Sequence, residues 1–152
     1  MGCFRTCADT KASRMIVETT MYTNSQVGTA CDEISRNSDV LGLEVVEFSG
    51  KHYKRAIEFG GWCVAFLNHG EKFAAPTYIE RHDKTDEVFA LIAGEATLLI
   101  GEERQRVKME RGKLYNVRKG TWHQIQTTPG TSCLVVENAD TDSMNSERKG
   151  IK

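Results

Sequence analysis

The stretch IERHDKTDEVFALIAGEATLLI, residues 79–100, decides the fold. Its second part reads as two apolar strands, EVFALIA and ATLLI, joined at Gly94-Glu95, where a tight turn calls for positive φ at glycine. Its first part gathers Glu80, His82, Asp83, Asp86 and Glu87 just ahead of that hairpin. In a strand, residues two apart share a face. Tyr78, Glu80 and His82 therefore point one way and Arg81 the other, while Glu87, Phe89 and Leu91 share a face of the next strand. Carboxylates and an imidazole crowded on strand faces point to a metal ion or a charged ligand. Asp83, Lys84 and Asp86 fall between the strands and read as a solvated turn.

The same short-strand pattern extends in both directions. LGLEVVEF, RAIEF, WCVAFLNH and TYIERH precede the hairpin, and RQRVKME, KLYNV, HQIQTT and SCLVVEN follow it. Each is rich in β-branched and aromatic residues and bounded by Gly, Asn, Asp, Lys or Pro, which predicts an all-β sandwich or barrel. Pro129-Gly130 marks a type II turn and Gly101 another corner. Helix is expected only in pieces: HYKRAIEF is the best candidate, and NSQVGTACDEISRNSD reads as holding a short helical turn. RMIVETTMY reads as a first strand or an arm. Residues 1–20 are expected as a leader or arm, 21–59 as an N-terminal segment with strands packing on the barrel, 60–138 as the barrel, and 139–152 as a polar tail that frays or crosses to another subunit.

With 152 residues, 39% hydrophobic and 27% charged, the chain is long enough for one core without staples. A net charge of −1 provides no basic field for nucleic acid. No apolar run approaches the roughly 18 residues of a membrane span, and the N-terminus lacks the apolar core of a signal peptide. Five scattered cysteines, Cys3, Cys7, Cys31, Cys63 and Cys133, predict reduced thiols and a cytoplasmic location, with Cys63 and Cys133 in the core. MGCFRT formally fits an N-myristoylation pattern on Gly2; a polar leader is the reading preferred here.

A third strand completes the polar constellation. In GTWHQIQTT, residues His123, Ile125 and Thr127 share a face. If these faces line one interior, Glu80, His82, Glu87 and His123 converge, a nitrogen and oxygen donor set suited to divalent Fe, Mn, Ni or Zn. His52 reads as surface and His69 as a strand-end residue. Arg104, Arg106 and Lys108 alternate with Gln105, Val107 and Met109 and read as a solvent face. Trp62 and Phe66, alternating with Cys63 and Ala65, read as packing.

The spacing resembles the two signature motifs of the cupin family. The first runs Gly, five residues, His-x-His, four residues, Glu, six residues, Gly; His82, Glu87 and Gly94 fit in register, with Glu80 at the first histidine and Ala74 at the opening glycine. The second runs Gly, five residues, Pro-x-Gly, two residues, His, three residues, Asn; Gly112, Gly120 and His123 fit, with Arg118 for the proline and Thr127 for the asparagine. The resemblance spans about residues 60–138. It implies a double-stranded β-helix, the jelly-roll barrel of the cupins, often dimeric, with the pocket inside. It also implies one divalent transition metal on His82, Glu87, His123 and Glu80 in place of three histidines and a glutamate.

Three functional readings follow. In the first, the chain is a metal-dependent enzyme, an isomerase, lyase or dioxygenase acting on a small sugar or organic acid. Glu80, if not a ligand, is then a candidate general base, and Tyr78 a proton donor or acceptor. In the second, it is a non-catalytic module that binds or senses a small ligand, with or without metal. In the third, the pocket is filled by side chains such as Phe89 and the role is structural. The expected partners are a small-molecule ligand and a second copy in a homodimer, with no nucleic acid and no membrane.

Overall fold

The structure is a computed structural model, and it describes residues 34–151. Its strands are β1 Ile34–Asn37, β2 Val45–Phe48, β3 His52–Phe59, β4 Trp62–Asn68, β5 Tyr78–His82, β6 Glu87–Ala93, β7 Ala96–Ile100, β8 Gln105–Lys108, β9 Leu114–Val117, β10 His123–Thr127, β11 Ser132–Asn138 and β12 Ser146–Gly150, with one helical turn, α1 Glu71–Ala74. Two five-stranded antiparallel sheets face each other, β12-β5-β10-β7-β8 and β3-β4-β11-β6-β9, beside a β1-β2 hairpin. From β5 to β7 and again from β9 to β12, each connection carries the chain to the opposite sheet. The protein is an all-β jelly-roll barrel.

Period-two alternation builds the interior. In β11, Cys133, Val135 and Glu137 are buried while their neighbours are only partly so. In β4, Cys63, Ala65 and Leu67 point inward, and Trp62 lies 44% exposed on the outside, so Trp62 is not interior packing. The core joins Ala65, Leu67, Phe73, Phe89, Leu91, Ala96, Leu98, Met109, Val117, Ile125, Cys133 and Val135 from both sheets. Each large side chain buried this way contributes about 1.5–3 kcal/mol relative to exposure. Gly94 has φ of 72°, and a Cβ there would lie 2.5 Å from the Thr131 Cα. Gly94 thus turns the chain from β6 into β7 and lets the 128–131 turn pack against it; the two strands are not the hairpin the sequence suggested, because β7 pairs in the facing sheet with β10 and β8.

Three expectations change. HYKRAIEF is not helical; it is β3, paired along its length with β4. A bulge between Arg55 and Ile57 inserts Ala56 into the buried side. The insertion puts the inward-facing Tyr53 and Ala56 three residues apart, off the period of two that a regular strand keeps. Residues 34–37, at the end of the stretch expected to hold a helical turn, are β1, held by pairing with β2. The polar tail does not simply fray: Ser146–Gly150 pair with His82–Tyr78 as the edge strand of the first sheet. Edge strands accept polar side chains because one side meets water, which is why SERKG did not read as a strand. The arm RMIVETTMY, the Gly2 pattern, Cys3, Cys7 and Cys31 lie outside the described residues.

Candidate metal centre and cavity

The two sheets meet chemically at one end of the barrel. β5 and β10 are hydrogen-bonded neighbours in one sheet, with His123 opposite Glu80. They bring His82 and His123 inward. β6, in the facing sheet, brings Glu87. Both imidazoles converge on one carboxylate oxygen: His82 Nε2 lies 3.1 Å and His123 Nε2 2.8 Å from Glu87 Oε2. The rings stand edge to face, 5.3 Å apart, and Phe89 packs its edge against His123. All three polar residues are buried, and their ligand atoms lie within 4.8 Å of one another.

The far side of each ring is also fixed. His123 Nδ1–H donates to the Thr121 carbonyl at 3.0 Å, and His82 Nδ1 shares a 2.7 Å hydrogen bond with Ser146 Oγ on β12. A histidine whose Nδ1 is held by an outer partner presents Nε2 to the centre, as metal-ligating histidines do. With Nδ1–H of His123 committed to a carbonyl, its Nε2 can face Glu87 in two ways. It carries a second proton, or both groups face a shared cation.

Electrostatics agree with such a cluster. Burial would raise the Glu87 pKa, but the imidazoles of His123 and His82 outweigh it and hold the carboxyl at about 2. Burial opposes charge on His123, and the Glu87 carboxylate overcomes this, so the His123 pKa lies above the ordinary histidine value.

The structure separates Glu80 from this trio. Its carboxylate accepts from Arg148 Nε at 3.0 Å, an ion pair across the β5-β12 register. Glu80 still lines the cavity. Arg148 also lies over the Tyr78 ring at 4.8 Å. Tyr78 does not line the cavity; its hydroxyl is buried and meets no protein partner. Between β5 and β10 only one residue pair is in register, and the Gln124 amide spans the opening, donating to the Tyr78 carbonyl. Of the other histidines, His69 bonds Thr127 Oγ1 outside the cavity, and His52 packs beside Phe73 and Glu71. Asp86 is exposed as expected but does a structural job, accepting from Asn116 Nδ2 and the Lys119 amide.

The cavity beside the trio measures about 360 Å³ and brings in residues that the sequence reading missed. Glu137, on the inward face of β11, accepts a hydrogen bond from the Tyr53 hydroxyl. Burial, followed by smaller contributions that include the Glu87 charge, pushes its pKa up. Arg55 lies 3.9 Å from Glu137 and donates to the carbonyls of Ala139 and Thr141. A signal for Glu137 existed: it has the same parity as Cys133 and Val135 in an otherwise apolar strand.

No family model and no curated protein matches the chain. Solved structures do. A histidine-to-glutamine variant of Streptomyces PAC13 with uridine matches at 8% identity over 84% of this chain and 95% of that one, with a TM-score of 0.51. A cupin-2 domain-containing protein from Shewanella frigidimarina matches at 17% identity over 59% and 83%, with a TM-score of 0.47. A protein from Planctomyces limnophilus matches at 11% over 62% and 79%, with a TM-score of 0.46. The first likeness covers most of both chains and shows a common barrel fold. At these identities the likeness is one of fold alone.

Proposed function

We propose that this barrel is a cupin-type, metal-dependent enzyme acting on a small polar molecule, with one divalent transition metal held by His82, Glu87 and His123. One observation carries the reading: two imidazoles from one sheet and a carboxylate from the other converge through Nε2 and Oε2 while both Nδ1 atoms are held from behind. Two nitrogens and one carboxylate suit Fe, Mn, Ni or Zn. An ion bound there supplies Lewis acidity toward a carbonyl, hydroxyl or carboxylate oxygen.

The remaining roles belong to the chain. Thr121 and Ser146 orient the rings. Phe89, Leu67 and Ile125 supply apolar wall that limits water around the reacting group. Glu80, on the cavity wall and paired with Arg148, is read as the proton-transfer residue rather than a fourth ligand. Tyr78 supports that pair through its ring beneath Arg148. A homodimer is part of the proposal. Phe59, Trp62, Ile92 and Leu114 lie exposed on the outer side of the second sheet, and a second copy would cover them. Among the described residues, no helix is long and apolar enough to cross a membrane.

The test is calorimetric titration of chelator-treated protein with Mn, Fe, Ni and Zn salts. Wild type should bind one ion per chain and Glu80→Gln should match it. Glu87→Gln and His123→Ala should lose binding. Equal stoichiometry in all four proteins contradicts the assignment.

A further inference from the structure

The Val136–Val88 pair is the last in register between β11 and β6. The next residues along are Glu137 and Glu87, both on the inward parity of adjacent strands and both buried. Side chains so placed lie about 4.5–5.5 Å apart at Cβ, and like charges directly opposite are destabilising. Glu87 is occupied by two imidazoles. Glu137 is not needed by them and lies outside the group that could share an ion. A leucine or glutamine there would avoid burying a second acid beside the first. The barrel instead keeps the acid and builds a holder for it. Tyr53 donates its hydroxyl to Glu137, and burial, reinforced by that carboxylate, keeps the phenol protonated. Arg55 stands behind, anchored on two carbonyls. A carboxylate that is costly to bury, held by a dedicated donor and facing a cavity, is a contact point for something that enters the cavity.

The wall pairs most of its charges and leaves Glu137 as an acceptor. Arg148 pairs with Glu80, while Arg55 donates to the Ala139 and Thr141 carbonyls and lies 3.9 Å from Glu137. Lys72 lies over the Phe73 and Tyr78 rings. Glu80, Glu87 and Glu137 face the same space. A hydroxyl that enters it donates to a carboxylate directly.

We propose that Glu137, held by Tyr53, is a second ligand-contact residue, which accepts a hydrogen bond from a hydroxyl of a hydroxyl-bearing ligand such as a sugar or polyol. This rests on the cavity being the working site, as proposed above, and narrows its ligand class. The probe is D-xylose, titrated calorimetrically into protein whose metal content is measured in the same sample. Wild type should bind D-xylose. Glu137→Gln should weaken D-xylose at least tenfold with metal content unchanged, and its melting temperature should hold or rise because the opposed charge is gone. Tyr53→Phe, which only loosens the holder, should weaken D-xylose about threefold. Wild type that does not bind D-xylose, or Glu137→Gln binding D-xylose like wild type, would overturn the proposal. Wild type that binds D-xylose without metal would instead overturn the metal assignment and leave the role of Glu137 standing.

Discussion

The barrel interior has two halves, built by one rule and spent on different things. In one half, Leu91, Leu98, Met109, Val117 and Cys133 fill the space between the sheets. In the other, the same inward parity presents His82, Glu87, His123 and Glu137 to a cavity. β6 passes through both, from Glu87 to Phe89 to Leu91; β10 passes from His123 to Ile125, and β11 from Glu137 to Val135 to Cys133. Alternation therefore fixes where a side chain points and leaves open what it does there. The apolar half stabilises the fold. The polar half is tolerated because an ion pair, two outer hydrogen bonds and a tyrosine offset part of its desolvation.

This division can be broken first from the apolar side. Leu98 is 1% exposed at the core centre. Leu98→Ala should cost about 2–5 kcal/mol in urea unfolding, with metal stoichiometry retained in the folded fraction. A loss of metal without loss of stability would show that the halves are not separate. From the polar side, His123→Ala should abolish the metal-dependent rise in stability, which for wild type at an ion concentration of 100 Kd is about 2.7 kcal/mol. Thermal melts with and without added metal measure both.

Acidity sharpens the comparison further. In metal-free protein the Glu87 pKa is depressed to about 2, so its contribution is present above the ordinary carboxylate range and is lost as pH falls toward 2. The His123 pKa is raised, so its contribution is present below the ordinary histidine value and is lost as pH rises through the raised one. The Glu137 pKa is also raised, so its ionisation disfavours the fold as pH climbs above the ordinary carboxylate range. Stability of the metal-free barrel should therefore peak on the acid side of neutrality, and saturating metal should move the optimum upward. A metal-free profile that keeps rising from pH 5 to 8 would contradict the clustered charges. The smallest effect concerns an outer partner: Ser146→Ala should weaken metal affinity about 10-fold while shifting stability by less than about 1 kcal/mol.

Legibility followed the same division. The strands and the inward direction of His82, Glu87 and His123 could be read because alternation and motif spacing are local. Glu80 was grouped with them on parity and on its place at the first histidine of the motif. Its pairing with Arg148 depends on β12, 68 residues away, which no local pattern reveals. β12 is polar because it is an edge, so its serine and arginine looked like tail. RAIEF was read as a strand, but HYKRAIEF as a whole also stood as the best helical candidate because the Ala56 bulge disturbs the period of β3. Glu137 was overlooked because an acid at the end of an apolar run reads as the start of a loop, although its parity marked it as interior.

The central claim is that one ion joins the two sheets through His82, Glu87 and His123. The most direct measurement is a crystal structure of protein soaked in Zn or Mn, with anomalous data collected at the metal edge. The account predicts one strong peak per chain, about 2.0–2.2 Å from both Nε2 atoms and a Glu87 oxygen for Zn, with Glu80 still on Arg148. A peak elsewhere, or a map showing the His82–Glu87–His123 hydrogen bonds intact and no ion at saturating metal, would contradict it.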